Sequence, residues 1–221
     1  MDITIAVINT LVFLIVFIYL YWKLWFLRDP ARKIPGGDSI VSPADGRVID
    51  AFKLDNSTKN KKLKVKKGAF GKIFSSASEV MPGQAKGAYV VSIFMSVFDV
   101  HVQRAPVSGS VEAISYKKGK FIVASSLDAF ENEKNEILIK YKNRENKSRA
   151  IKVIQIAGFL ARRIECFVRP GQKLLKGQKI GRINLGSQVT VIMPGDVRLK
   201  VKKGQRVYAG TTVIAEFNGR G

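Results

Sequence analysis

The chain has one cysteine, Cys166, and one histidine, His101, among 221 residues. A single cysteine excludes an internal disulfide framework, and one histidine leaves no Cys/His cluster for zinc, so no metal is expected. The cysteine reads as a small core residue. Acidic residues are scarce too: 17 Asp and Glu stand against 38 Lys and Arg, a formal charge of +21. Such an excess draws phosphate, carried by a nucleic acid or an anionic membrane, unless the lysines merely solvate the surface. No recognisable RNA- or DNA-binding motif accompanies the charge, which argues against nucleic acid as a partner.

Near the amino terminus, charge is missing altogether. Ile3 to Trp22, "ITIAVINTLVFLIVFIYLYW", runs twenty positions without one, enough helix at about 1.5 Å per residue to cross a hydrocarbon core of about 30 Å. Thirteen of the twenty are Ile, Leu, Val or Phe, and they favour insertion by roughly 5 kcal/mol before Asn9 and two threonines subtract. The basic start and small-residue cleavage site of a secretory signal are lacking, as is the charged face of an interfacial helix. Tyr19, Tyr21, Trp22 and Trp25 form an aromatic belt at the carboxyl end, flanked by Lys23, Arg28, Arg32 and Lys33. The segment 1–35 therefore reads as an anchor in the cell membrane with a basic juxtamembrane flank, and the remainder as lying on the cytoplasmic side.

After Pro35-Gly36-Gly37 the pattern changes to short β-branched runs broken by Gly, Pro and Asn, such as "GRVIDAF", "YVVSIFM", "EILIKY" and "VTVIMP", each of strand type. "EILIKYK" and "SRAIKVIQI" flank the turn "NREN" and predict a hairpin. "VRPGQKLLKGQKIGRI" (168–183) resembles "VKKGQRVYAGTTVIAEF" (201–217), each with two glycines six residues apart before an apolar strand, an internal repeat. A second recurring piece, Pro-turn-Gly-Val, occurs in "SPADGRV" and "APVSGSV". The expected fold of 36–221 is mainly β (β-rich α+β), a barrel-sandwich of short strands similar to lipoyl and biotinyl carrier domains. "SSLDAFENEKNE" (125–136) reads as a loop or short helix. The polar, lysine-dense 55–72 reads as a mobile hairpin or lid, or a solvated connection.

Three polar residues sit beside turn glycines or prolines: Asp45 in "SPADG", His101 in "FDVHVQRAPVSG" and Ser187 in "LGSQV". Their types are those of an orienting carboxylate, a base and a nucleophile. Each also has a plain explanation, as a turn former, a half-buried histidine and a loop end. Spacing alone does not bring them together.

Longer stretches carry a resemblance. "FLRDPARKIP", "SPADGRV", "FMSVFDVHVQRAPVSGSV", "GKFIVASSLDAFENEKNE" and "QIAGFLARRIECFVRPGQKLLKGQKIGRINLGSQVTVIMP" follow one another in the order found in phosphatidylserine decarboxylase proenzymes. The chain resembles the short form of that family, which includes the archaetidylserine decarboxylases. Gln103, where the family more often has asparagine, and Gln188 depart from its pattern and bear on substrate contacts rather than on the reaction.

The resemblance implies a decarboxylase that makes its own electron sink, a pyruvoyl group. Ser187 Oγ would attack the Gly186 carbonyl, and elimination and hydrolysis would cut the chain into 1–186 (β chain) and 187–221 (α chain), which stay associated. His101 would take the serine proton, its unperturbed pKa of about 6.5 suiting the task, and Asp45 would fix its tautomer. His101 is also the candidate proton donor to the decarboxylated carbon. The substrate would be an anionic serine phospholipid, archaetidylserine or phosphatidylserine, held at the membrane. Arg104, Arg162 and Arg163 would bind its phosphate or carboxylate, or else serve as structural ion pairs. A sheet edge leaves a homodimer open. Anchor and repeats would also suit a non-catalytic lipoyl-like carrier or a membrane-anchored export adaptor. Against these, no lysine sits in a carrier-tip context and no long heptad hairpin is present.

Overall fold

The computed structural model describes residues 3–54, 87–119, 132–142, 146–158, 164–184 and 186–217. Helix α1 (Ile3–Leu20) buries none of its residues against the rest of the protein. Being apolar all round, it has no polar face to turn to water. With the six-residue π-helix that continues it, Tyr21–Phe26, it is the one helix among the described residues long and apolar enough to cross a membrane. Leu27 N–H reaches back five residues to the Trp22 carbonyl, the wider π pattern. Pro30 has no N–H to continue it and forces Asp29 out of helical geometry.

The rest is strand-rich, a sheet curled into a half-barrel. In chain order the strands are β1 (Ser39–Val41), β2 (Gly46–Lys53), β3 (Tyr89–Met95), β4 (Val102–Arg104), β5 (Gly109–Lys117), β6 (Lys134–Lys142) and β7 (Ser148–Ala157). Then come β8 (Ile164–Cys166), β9 (Lys173–Leu174), β10 (Lys179–Ile183), β11 (Ser187–Met193), β12 (Val197–Leu199), β13 (Arg206–Val207) and β14 (Val213–Phe217). The main sheet runs β13-β2-β3-β11-β7-β6-β5-β9, with smaller sheets β1-β14-β12 and β4-β10-β8.

All seven residues of β11 are buried, as expected of a strand with a neighbour on each edge and a covered face on each side. Val189, Val191 and Met193 point into the apolar core with Ile93, Val153 and Ile137. Strand period 2 puts Ser187 on that same face. The expected hairpin is present as β6 and β7, in register from Lys134↔Ile156 to Lys142↔Ser148.

The repeats are one device used twice. Gly171 and Gly177, and likewise Gly204 and Gly210, take φ of 82°, 81°, 88° and 74°, the left-handed region open to glycine. Their N–H groups donate to Val111 and Ala105 in one copy and to Val48 and Ser42 in the other. These acceptors occupy matching places in "APVSGSV" and "SPADGRV", and the two pieces also bond each other, Val41 N–H to Pro106 O and Arg104 N–H to Pro43 O. A pseudo-twofold arrangement results, the physical content of the sequence repeat.

Two expectations are corrected. Of 125–136, read as loop or short helix, 125–131 lie outside the described residues and Lys134–Glu136 begin β6; the strand is hidden in the sequence because Lys134 and Glu136 are themselves buried, paired at 2.7 Å. Cys166 is exposed rather than core, since β8 is the outer strand of its small sheet. The segment 55–72 lies outside the described residues.

Candidate active site

Ser187 opens β11 opposite Met95 of β3 and Ala157 of β7. It is fully buried, and its hydroxyl donates to Met95 Sδ at 3.5 Å. A thioether accepts weakly and takes no proton, so this contact holds the serine without activating it. Gly186, just before it, has φ +48° with no heavy atom within 4 Å of where a Cβ would sit. A side chain here would be strained by the backbone conformation, although the space it would enter is open.

His101 is fully buried. Its Nδ1 lies 2.9 Å from the Asp99 carbonyl, which can only accept, so Nδ1 carries the proton and Nε2 the lone pair. Nε2 is buried with no hydrogen-bond partner among the described residues. Burial lowers the histidine from 6.5 to about 4, opposed by the Asp99 carbonyl and carboxylate and reinforced by Arg28. The ring is therefore neutral near pH 7, with one bare basic nitrogen.

A turn built on Asp99 holds the ring. Ser96 N–H and Oγ–H donate to Asp99 Oδ2 at 2.8 and 2.7 Å, and Arg206 donates to Oδ1 at 2.5 Å. The histidine's main chain is tied to the serine's approach: its carbonyl accepts Ile183 N–H at 3.4 Å, where β10 ends and the connection to Gly186 begins. The same carbonyl accepts Gln103 Nε2–H at 2.8 Å, a group 3.6 Å from Met95 Sδ. Gln103 Oε1 accepts from Gln155, and Gln155 Oε1 from Asn135, a buried amide row beneath the site. On the other side, the Phe26 ring lies 4.2 Å from the imidazole, centroid to centroid.

A buried neutral base tied to the approach of a buried serine suits proton abstraction from that serine. The sequence model of phosphatidylserine decarboxylase matches residues 21–215. The chain belongs to the phosphatidylserine decarboxylase family. It is 41% identical to the phosphatidylserine decarboxylase proenzyme of Carboxydothermus hydrogenoformans over 97% of this chain and 88% of that one. It is 42% identical to the putative archaetidylserine decarboxylase proenzyme of Methanocaldococcus jannaschii over 89% and 90%. A similar protein of Methanothermobacter thermautotrophicus, named in the same way, is 39% identical over 93% and 85%.

Within this decarboxylase-family site, the structure links His101 and Ser187 through Gln103 and Met95 and through the end of β10. Asp45 has other partners. Its carboxylate accepts from Arg32 at 3.0 and 2.9 Å and from Ala209 N–H at 2.7 Å. The last bond has a counterpart in the other half, where Ser108 Oγ accepts Lys176 N–H at 2.9 Å, so the aspartate clasps one copy of the repeat. Arg206 and Ala209, in one short segment, reach Asp99 and Asp45 respectively, which places both carboxylates at the same end of the molecule.

Arg104 pairs with Asp29 at 2.5 Å and donates to the Gly177 carbonyl, the structural ion pair of the two readings. Arg162 and Arg163 lie outside the described residues. Sequence reasoning missed Asp99, Met95 and Phe26. Ser96 and Asp99 stand three apart in "SVFD", the spacing of a capping box, which was the available signal for Asp99. Nothing local marked Met95 or Phe26.

Proposed function

We propose that the chain is a membrane-associated proenzyme that cuts itself between Gly186 and Ser187 and then decarboxylates a serine phospholipid, archaetidylserine or phosphatidylserine, to the ethanolamine lipid and CO2. The observation that carries this is the unpartnered, buried Nε2 of a neutral His101, tied to the approach of a serine that follows a left-handed glycine. Family membership supplies the reaction class.

For maturation the Ser187 hydroxyl turns from Met95 Sδ toward the Gly186 carbonyl carbon. His101 Nε2 takes its proton, and the resulting imidazolium is stabilised by the Asp99 carbonyl and carboxylate. The C–N bond breaks, the proton passes to the leaving amine, and an ester joins Gly186 to Ser187 Oγ. Loss of the Cα proton of residue 187 expels the Gly186 carboxylate, leaving dehydroalanine, and water releases ammonia to give a terminal pyruvoyl group on 187–221. That group, once formed, supplies the electron sink that loss of CO2 requires. His101 remains to return a proton to the product carbon. An orienting role for Asp45 would require its carboxylate to leave Arg32 and the Ala209 amide; in the arrangement seen, the Asp99 carbonyl orients the ring.

The apolar helix and the excess of 38 basic over 17 acidic residues support a chain anchored in an anionic bilayer, its basic flank and catalytic domain on the cytoplasmic side. The test is the denatured mass of purified protein together with CO2 release from each of the two lipids. Two chains are expected, the smaller blocked by a ketone, and Ser187→Ala should stay whole and inactive. Activity from a single unbroken polypeptide would overturn the proposal.

A further inference from the structure

We infer that Phe26, delivered by the last turn of the apolar helix, is a positioning residue for His101: it holds the imidazole and keeps water from it, so that the base is assembled only when the helix is docked on the domain. This deepens the role proposed above for His101 and rests on it.

Four observations support the inference. Helix α1 buries no residue, whereas Phe26 is 0% exposed, so this end of the helix is inserted into the domain while the rest stands free of it. Phe26 meets His101 with its ring tilted 33°, and Trp22 stacks behind it at 4.5 Å and 10°, so the lid is two rings thick. The same helix end grips the turn that orients the ring. Tyr21 Oη donates to the Val97 carbonyl at 3.0 Å and Arg28 to the Phe98 carbonyl at 2.6 Å, the carbonyls of the two successive peptides that lead to Asp99. Finally, the π geometry matters: it holds one residue more per turn, and uninterrupted α-helix would carry Phe26 roughly 100° round its axis, away from the histidine.

The charged groups facing His101 are Asp99, which favours its protonated form, and Arg28, which disfavours it. Arg206 offsets the Asp99 carboxylate. With these opposed, exclusion of water dominates the base's behaviour, and removing the lid should be visible in its titration.

His101 is the only histidine, so one imidazole resonance reports it without assignment. In full-length Ser187→Ala protein in detergent micelles, that resonance should titrate near pH 4. Phe26→Ala should move the midpoint up toward the unperturbed value of about 6.5, and Phe26→Leu, which keeps an apolar cover, should leave it depressed. In the chain with Ser187 intact, Phe26→Ala should slow self-cleavage by about tenfold or more, with Phe26→Leu restoring most of the rate. Should Phe26→Ala fail to fold, Tyr21→Phe removes a single hydroxyl, frees the Val97 carbonyl and should shift the same resonance.

An unmoved midpoint in a folded Phe26→Ala chain, or in Tyr21→Phe where it stands in, overturns the inference. If the resonance moves while every chain stays uncut, the lid stands and the self-cleaving reading falls. If the chains are cut while the resonance stays put, self-cleavage stands and the lid falls.

Discussion

At the scale of single residues, the decisive group is a histidine kept neutral by burial, and this has a consequence for stability. The unfolded chain protonates His101 near 6.5, the folded one only near about 4. Because the folded value is depressed, its contribution is complete above 6.5, declines as pH falls toward 4, and is gone below that. That gap corresponds to about 3 kcal/mol. Asp29 and Glu136 are also held low: burial raises each carboxyl, but Lys179 and Arg104, or Lys134 and Lys152, outweigh it. Their contributions are complete above the ordinary carboxylate range and fade as pH falls through and below it. The slope of unfolding free energy between pH 6.5 and 5 should therefore belong to His101. Urea titrations of Ser187→Ala protein should show it, and adding His101→Gln should flatten it; an undiminished slope would place the titrating group elsewhere.

At the scale of elements, β6 and β7 carry an ion cluster inside the sheet. Glu136 meets Lys134 at 2.7 Å and Lys152 at 3.0 Å, with side-chain exposures of 2%, 5% and 2%. Glu136→Gln would strip that carboxylate from two buried ammonium groups, and the cost should be roughly 3 kcal/mol or more, read as a lower urea midpoint with β structure retained by circular dichroism. A variant as stable as the parent would show that water reaches the lysines. In the sequence, Lys152 interrupts "AIKVIQIAG" and hints at burial, but Lys134 and Glu136 look like ordinary surface charges. Runs of β-branched residues identified β7 and β11, whereas none marks the start of β6, where a buried ion pair imitates a solvated face. The repeats were legible for the opposite reason: a left-handed turn admits few residues besides glycine, so its position shows in the chain itself.

At the scale of the whole molecule, the part beyond Ser187 is an interior component of the fold. β11 pairs with β3 from Ser187↔Met95 to Met193↔Tyr89 and with β7 from Ser187↔Ala157 to Ile192↔Lys152. β13 closes on β2, and β14 on β1. Cutting one peptide bond before Ser187 removes none of these ladders. The two pieces should therefore co-elute in native gel filtration and separate only in denaturant; loss of the smaller piece under native conditions would contradict this architecture. The strap after the helix adds to the closure. Asp29 pairs with Arg104 and Lys179, Arg32 with Asp45, and Lys176 donates to the Gly37 carbonyl, so the stretch leading from the helix is packed on the domain.

What depends on near neighbours was already legible in the sequence: an uncharged helix long enough for a bilayer, short β-branched strands, paired glycine turns, and a Gly186-Ser187 junction in a family motif order. Which groups surround the His101 ring was left to the tertiary structure. Phe26 covers the imidazole, and Arg32 and the Ala209 amide occupy Asp45, because the fold brings these segments together, whereas the Asp99 carbonyl that holds the ring lies only two residues from it. Burial, which sets how that histidine binds a proton, is a property of the space around a side chain and has no address along the chain.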